Sequence, residues 1–267
     1  MERRTIRKTI KIQGTGLHRG QKITLHLRPL ESGIVFIREG IRIPATPESI
    51  VDTRLNTTIG SGGVTISTIE HLMSAFYGLG ITDCEIEVDG DEIPAMDGSA
   101  LPFVQHIKDA GTKVLGKVQS VMIPSLMRVS HGDAWVEASP GSFCIEYGID
   151  FPEPAIGKQA YTFSGNGFEA EIAPARTFGR LSEVDMMRSM GLALGGSLRN
   201  AVVVDGNAIL NPEGLRFQDE FIRHKVLDIL GDLWTIGRPI VGLLRAYKAN
   251  HSLHITLAKK IYALIKA

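Results

Sequence analysis

A stripe of polar residues interrupts a mostly apolar segment late in the chain. In FIRHKVLDILGDL, residues 221–233, His224, Asp228 and Asp232 follow one another at intervals of four residues. Residues four apart lie on one face of an α-helix, so a helix here would stack one imidazole and two carboxylates. Such a stripe could bind a cation, share a proton, or form a polar edge against solvent. In the last case Lys225 would simply pair with Asp228 at i,i+3.

A second group of candidate residues lies in the segment STIEHLMSAFYGLG. Its apolar residues recur at helical spacing, and Glu70 and His71 fall on the polar flank of the predicted helix. The HExxH zinc motif is absent, because Ala75 stands four residues after His71. His71 could instead join His224 and Asp228. Two imidazoles and one carboxylate leave a position open for water, as catalytic zinc sites do.

The same ligand set also occurs in non-haem Fe(II) oxygenases, so an oxygenase is an alternative. Two features favour hydrolysis: Glu70 beside a ligand is a ready general base, and the ligands are predicted on helices rather than on neighbouring strands. His251 in NHSLH is a candidate acid, and Asp232 could hold its imidazole and raise its pKa. A separate base and acid are what hydrolysis of an amide requires.

The composition predicts a globular protein without a strong charge. The chain has 267 residues, of which 43% are hydrophobic and 22% charged, and 29 basic residues balance 29 acidic ones. A formal net charge of zero argues against binding nucleic acid through bulk electrostatics. Any anionic ligand must therefore be met by locally placed cations.

Several signals bear on the cellular location. The N-terminus has charges but lacks the apolar stretch of a secretory signal, and no apolar run approaches the about 20 residues of a membrane helix. Cys84 and Cys144 form no CxxC motif and are expected to be buried free thiols. We therefore expect a cytoplasmic protein with no membrane span.

The predicted strands and helices that carry these residues follow the same order twice along the chain. Strand patterns fill the first 45 residues, including a hairpin that turns near Glu39 and Gly40, and a helix, a strand and a helix follow. Strands, helix, strand and helix then recur, with the long helix predicted around residues 219–235. This repetition predicts an α+β protein of two domains with like topology, residues 1–116 and 117–267. The first would contribute the Glu-His pair and the second the stripe and His251.

The second series contains an extra piece, RTFGRLSEVDMMRSMGLALGGSLRNAVVVDG, whose helix and glycine-rich turn the first series lacks. The segment LALGGS has neither the lysine of a P-loop nor the GxGxxG of a dinucleotide site. Its glycines are therefore predicted to be turn residues.

Seven segments match one enzyme family in order from residue 14 to residue 253: GTGLHRG, STIEHLMSAFYGLGI, EIPAMDGSALPFV, ARTFG, GLALGGSLRNAVV, NPEGLRFQDEFIRHKVLDILGDL and NHSL. On these segments the chain resembles the zinc-dependent UDP-3-O-acyl-N-acetylglucosamine deacetylases, the LpxC family of lipid A biosynthesis. The resemblance implies helices sandwiched between two sheets (β-α-α-β), with a βαβ insert in the second domain.

The resemblance also implies a reaction and a substrate. The enzyme would hydrolyse the N-acetyl group of UDP-3-O-[(3R)-3-hydroxyacyl]-N-acetylglucosamine, a small-molecule UDP-sugar with a fatty acyl chain. The organism would then have a lipopolysaccharide-bearing outer membrane. Nothing in the pattern demands more than a monomer. The alternative is a catalytically silent protein that only binds UDP-sugar or acyl ligands.

Carried over position by position, the resemblance implies that His71, His224 and Asp228 bind Zn²⁺, although Fe²⁺ could occupy the same ligands. Glu70 would be the general base on the zinc water, whose pKa zinc can bring to about 7. His251 would be the general acid toward the leaving amine.

Three further residues receive roles in the same way. Asp232 would orient His251, Lys225 would add positive charge beside the tetrahedral intermediate, and Thr177 of ARTFG would donate to its oxyanion. Fixed donors at a developing oxyanion can contribute about 3 kcal/mol each. The simultaneous presence of Glu70, His251 and Thr177 argues against a silent binder.

The extra piece after Phe178 would form an apolar passage for the acyl chain. Flexible apolar side chains suit such a lining, and the candidates are Phe178, Met186, Met187, Met190, Leu192 and Leu194. Alternatively, the residues after Phe178 form the small core of the insert itself.

Two residues depart from the family pattern. His254 stands where Asn is usual, just past the predicted acid, and Arg180 follows RTFG where an apolar aromatic residue is common. Neither is a predicted metal ligand, so they bear on substrate detail rather than on reaction type.

Overall fold

The computed structural model describes residues 1–266, which form a mixed α+β protein. Residue 267, the last of the predicted second domain, lies outside the described residues. The predicted fold class is confirmed, whereas the division after residue 116 stays a prediction.

The first half contains ten strands, two α-helices and a 3₁₀-helix at Pro47–Ser49. The strands are β1 (Glu2–Ile6), β2 (Ile10–Thr15), β3 (Lys22–Arg28), β4 (Ile34–Arg38), β5 (Ile41–Pro44), β6 (Ile50–Asp52), β7 (Thr58–Ser61), β8 (Val64–Ile66), β9 (Cys84–Val88) and β10 (Thr112–Lys117). The helices are α1 (Glu70–Leu79) and α2 (Leu101–Ala110).

The second half contains ten strands and four helices within the described residues. The strands are β11 (Val121–Met122), β12 (Met127–His131), β13 (Ala134–Ser139), β14 (Cys144–Asp150), β15 (Lys158–Phe163), β16 (Phe178–Arg180), β17 (Val202–Asp205), β18 (Ala208–Ile209), β19 (Ile240–Val241) and β20 (Leu243–Tyr247). The helices are α3 (Phe168–Glu171), α4 (Leu181–Ser189), α5 (Glu220–Trp234) and α6 (His251–Lys266).

Two five-stranded sheets share one topology. The first has the order β2-β3-β9-β4-β5 and the second β12-β13-β20-β14-β15. Central β9 is antiparallel to β3 and parallel to β4, and central β20 is likewise antiparallel to β13 and parallel to β14. The hairpin of β4 and β5 turns at Glu39 and Gly40, as predicted, and both residues have positive φ. The like topology of the two halves is thus confirmed.

The helices form the layers between these sheets. α2 packs on β2, α6 on β12 and β13, and α5 on β14 and β15, whereas α1 packs on α2 and α5. The apolar residues of α1 recur at helical spacing and therefore share one face. That face is fully buried and consists of Leu72, Met73, Ala75 and Phe76. Gly80 ends this helix in the left-handed conformation (φ +66°), where a side chain would be strained.

The extra piece of the second half forms the predicted βαβ unit. β16 pairs in parallel with β17 after the crossover through α4, and β18 adds an antiparallel edge. The first half also carries an insertion at the corresponding place, the three-stranded sheet β6-β7-β8 between β5 and α1. The sequence pattern did not reveal that insertion.

Cys84 and Cys144 are both free thiols, as expected; Cys84 is buried, whereas Cys144, also expected to be buried, is half-buried. None of the helices in the described part of the chain is long and apolar enough to cross a membrane.

The two halves approach each other closely where α1 meets α5. A Cβ atom on Gly231 of α5 would lie 2.0 Å from the backbone carbonyl oxygen of Glu70 in α1. Since the clash is with backbone, only glycine allows the helices to pack at this distance.

We predict that Gly231→Ala lowers the free energy of unfolding by about 2 kcal/mol, in the range typical of overpacked cores. Helix propensity alone would favour alanine by about 1 kcal/mol, so the sign of the change reports the packing. Urea unfolding would measure it. Gly179→Ala is the control, because no atom lies within 4 Å of that added Cβ. A Gly231→Ala variant as stable as the wild type would contradict the prediction.

Candidate active site

Three predicted metal ligands converge where α1 meets α5. The Asp228 Oδ1 atom lies 3.3 Å from His224 Nε2 and 3.9 Å from His71 Nε2. All three side chains are buried, and their candidate ligand atoms lie within 4.8 Å of one another. α5 supplies two of them from consecutive turns and α1 supplies the third, so the group depends on the contact between the halves.

Hydrogen bonds orient two of these side chains. His224 Nδ1 lies 3.1 Å from the carbonyl oxygen of Ala175. Because a carbonyl oxygen can only accept a hydrogen bond, Nδ1 carries the proton of the neutral ring and Nε2 has a free lone pair. Lys225 Nζ donates to Asp228 Oδ2 at 2.7 Å. Asp228 Oδ1 is buried and has no hydrogen-bond partner. An unpaired buried carboxylate oxygen is costly, and a cation between it and the imidazoles would satisfy it.

A salt bridge fixes the carbonyl that orients His224. Arg176, next to Ala175, is buried and donates from Nε to Glu220 Oε1 at 2.8 Å, and its backbone N–H donates to the same oxygen at 3.0 Å. Glu220 lies one helical turn before His224 and extends the polar stripe of α5 toward its N-terminus. The pair therefore ties the segment before Thr177 to the helix that holds two ligands.

The protonation states suit metal ligands. Burial lowers the pKa of His71 to about 3, with His224 adding to the effect, and burial also lowers the pKa of His224. Burial by itself would raise the pKa of Asp228, but His224 and Lys225 hold that pKa well below its usual value. Two neutral imidazoles and one carboxylate are a donor set that fits Zn²⁺ or Fe²⁺.

Glu70 and His251 lie beside this group with opposite proton affinities. Glu70 Oε2 accepts from the backbone N–H of Thr57 at 3.0 Å, and Oε1 lies 3.9 Å from His251 Nε2. Burial raises the pKa of Glu70 to about 7. Burial alone would lower the pKa of His251, but Asp232 raises it to about 9. Environments that separate two pKa values in this way equip one group to accept and the other to donate a proton.

Asp232 is fully buried and holds His251. His251 Nδ1 donates to Asp232 Oδ2 at 2.8 Å. Thr57 Oγ1 donates to Asp232 Oδ1 at 2.5 Å, and His254 Nδ1 lies 2.8 Å from Oδ2. Sequence reasoning missed Thr57, which lies in a loop with no motif. The sequence shows that His254 departs from the family pattern. It does not show which residues His254 contacts, because those contacts depend on the packing of α6 against α5.

Thr177, Phe178 and Lys225 face the same cavity as the candidate ligands. The backbone of Thr177 is held on both sides, since its N–H donates to the Gly98 carbonyl at 2.7 Å and its carbonyl accepts from Val202 at 2.8 Å. Lys225 Nζ lies 5.6 Å from the centre of the Phe178 ring. All three predicted residues therefore lie near the ligand group.

The cavity has a volume of about 490 Å³ and extends from the ligand group to the insert. Its apolar lining beyond Phe178 includes Leu181, Val184, Met187, Ala193, Leu198, Val203 and Leu210. Met186, Leu192 and Leu194 do not belong to this lining; Met186 and Leu194 are 56% and 55% exposed. Their contact with substrate stays a prediction.

The chain is similar to one family of known proteins along nearly its whole length. The model of the LpxC family, described as UDP-3-O-acyl N-acetylglycosamine deacetylase, matches residues 3–263. The UDP-3-O-acyl-N-acetylglucosamine deacetylase of Anaeromyxobacter dehalogenans is 45% identical over 97% of this chain and 87% of its own. The enzymes of the same name from Nitratiruptor sp. and Helicobacter pylori are 46% and 45% identical, each over 98% of this chain and over 90% and 92% of their own.

We predict that the wild type binds one equivalent of Zn²⁺ and that His71→Ala, His224→Ala and Asp228→Ala each lose it, because each substitution removes one of three ligands. Metal analysis after dialysis would measure the content, and zinc should raise the Tm of the wild type but not of the variants. His131→Ala, which removes an exposed histidine, is the control. Full zinc content in the three ligand variants would refute the site.

Proposed function

This chain belongs to the family of UDP-3-O-acyl N-acetylglycosamine deacetylases, and on that premise we propose that it hydrolyses the N-acetyl group of UDP-3-O-[(3R)-3-hydroxyacyl]-N-acetylglucosamine. The products would be the free glucosamine amine and acetate, in a step of lipid A biosynthesis. The observation that carries the proposal is the buried convergence of a base, three metal donors and an acid on one cavity. A silent binder would not need that arrangement.

The proposed cofactor is Zn²⁺ held by His71, His224 and Asp228, with Fe²⁺ as the other metal that these donors suit. When bound, the cation would supply Lewis-acid chemistry, polarising the acetyl carbonyl and acidifying water near neutral pH. The unpartnered Oδ1 atom of Asp228 and the free Nε2 lone pair of His224 support this assignment.

The proton transfers are assigned to Glu70 and His251. Glu70 accepts a proton from the attacking water as the C–O bond forms. His251 Nε2 then gives its proton to the sugar nitrogen as the C–N bond breaks, so a neutral amine and acetic acid are released, and the acid ionises to acetate. The 3.9 Å separation of Glu70 Oε1 and His251 Nε2 supports their action on one reacting group.

In this proposal the acetyl carbonyl oxygen of the substrate is faced by the Lys225 ammonium and the Thr177 hydroxyl. The Lys225 ammonium stabilises the negative charge that develops on the acetyl oxygen, and Thr177 Oγ1 donates a hydrogen bond to it. The held backbone of Thr177 supports a fixed donor position. Lys225 is half-buried and pairs with Asp228, which keeps its charge at the cavity wall.

The fatty acyl chain is assigned to the apolar part of the cavity. Phe178, Val184 and Met187 lie along that part, beside Leu198 and Leu210. Burying methylene groups there would stabilise the complex by about 0.8 kcal/mol each. This placement leaves the acetamido group near the ligands, where the lining changes from apolar to charged.

The decisive experiment is acetate release from UDP-3-O-hydroxyacyl-N-acetylglucosamine by zinc-loaded wild type and Glu70→Gln, run without O₂. Loss of the base should lower the rate about 100-fold while zinc content stays at one equivalent. Glu169→Gln, at an exposed carboxylate, is the control. No release by the zinc-loaded wild type with several acyl lengths would reject the substrate, and an unchanged rate in Glu70→Gln would reject the base.

The pH dependence should be bell-shaped. The rate rises as Glu70 loses its proton and falls as His251 loses its own, because the first must accept and the second must donate. Asp232→Asn removes the carboxylate that raises the pKa of His251, so the alkaline limb should move to lower pH. Profiles of kcat/KM for the variant and for the control Asp109→Asn would test this. An unmoved alkaline limb would count against His251 as the acid.

A further inference from the structure

Helix α6 carries a second buried imidazole beside the proposed acid. His254 follows His251 by three residues and is 1% exposed. Its Nδ1 atom lies 2.8 Å from Asp232 Oδ2, and the Nδ1 atom of His251 lies 2.8 Å from the same oxygen. One carboxylate oxygen therefore faces two ring nitrogens.

The proton positions follow from the donors and acceptors present. Burial by itself would raise the pKa of Asp232, but the charge of His251 and the hydrogen bonds from His251 and His254 hold that pKa below its usual value. Asp232 is therefore a carboxylate and can only accept hydrogen bonds. Both facing Nδ1 atoms must then carry protons. Burial lowers the pKa of His254, so this ring has a single proton, on Nδ1, and a lone pair on Nε2.

A tyrosine fixes the other side of the His254 ring. The hydroxyl of Tyr147 in β14 lies 3.0 Å from His254 Nε2 and 2.9 Å from the carbonyl oxygen of Ala249. Burial holds the pKa of Tyr147 well above its usual value, so the hydroxyl keeps its one proton, which it donates to the Ala249 carbonyl while its oxygen contacts His254 Nε2. His254 is thus held between the Asp232 carboxylate on one side and the Tyr147 hydroxyl on the other.

We propose that His254 is a positioning residue for His251. It is a fixed N–H donor that orients the Asp232 carboxylate and shares the oxygen that holds the His251 ring. It does not line the cavity, so it acts through Asp232 rather than on substrate. The inference deepens the proposed function, on which the role of His251 as acid rests.

Sharing Oδ2 has a definite consequence for proton transfer. A carboxylate oxygen that accepts from two N–H groups stabilises each less than it would stabilise one, so the protonated His251 ring gives up its proton more readily. The titratable groups that face the two rings are Glu70 and His71 from α1, His224, Asp228 and Asp232 from α5, and Tyr147 from β14. Of these, only Asp232 contacts both rings.

The test compares His254→Leu, which removes the donor, with His254→Asn, whose amide N–H can occupy the position of Nδ1. In zinc-loaded, ¹⁵N-histidine-labelled protein, His254→Leu should move the NMR titration of His251 and the alkaline limb of kcat/KM to higher pH. It should also lower the maximal rate about tenfold, the loss typical of partners that orient a functional group. His254→Asn should restore both titration and rate toward wild type.

Two further variants complete the design. Ser252→Ala, exposed in the same turn of α6, should change neither readout. Tyr147→Phe removes the hydroxyl that contacts Nε2 of His254 and should change the ¹⁵N shift of that nitrogen, a readout that does not depend on whether His254→Leu folds.

An unchanged His251 titration in His254→Leu would overturn the inference. A loss of activity with no change in that titration would do so too, because a merely structural role of His254 would give that result. A Tyr147→Phe spectrum identical to that of the wild type would also count against it. The NMR titration needs no substrate, so failure of the wild type to release acetate would reject the proposed function separately.

Discussion

The contact of α1 with α5 at Gly231 is the constraint on which the site depends. His71 belongs to one helix and His224 and Asp228 to the other, so neither half alone holds these three donors. The missing side chain of Gly231 allows the backbone of Glu70 to approach. Apolar residues buried on the same two helices, such as Leu72 and Leu227, supply the favourable burial that offsets the desolvation of so many polar groups.

One cause, burial, shifts the proton affinities of the site in opposite directions. It raises the pKa of Glu70 because the charged form is an anion, and it lowers the pKa of His71 and His224 because theirs is a cation. His251 is buried as well, yet a paired carboxylate reverses the direction. A carboxyl group that titrates near pH 7 and an imidazole that titrates above it thus follow from burial and from the carboxylates around His251, Asp232 first among them.

The repeated topology explains why two similar halves form one unequal site. α1 precedes central strand β9 and α5 precedes central strand β20, so each half brings an equivalent helix to the middle. The insertions before these helices differ. In the first half, the loop between β6 and β7 carries Thr57, which donates a hydrogen bond to Asp232, whereas the βαβ unit of the second half lines the cavity. Repetition supplies the scaffold, and the insertions supply the differences.

Sequence patterns were enough to predict the α+β class, the repeated order of elements, and the stripe of α5 on which Asp228 and Asp232 stand one turn apart. Periodicity alone settles such features, since neighbours on one helix are set by its 3.6-residue turn. Periodicity left open whether the stripe binds a cation, shares a proton or faces solvent. The family resemblance favoured cation binding. The folded structure was needed to show that Asp228 lies near His71 while Asp232 contacts Thr57 and His254, and that Met187 lines the cavity whereas Met186 does not. Those contacts join elements far apart in sequence, where packing rather than spacing sets the distance.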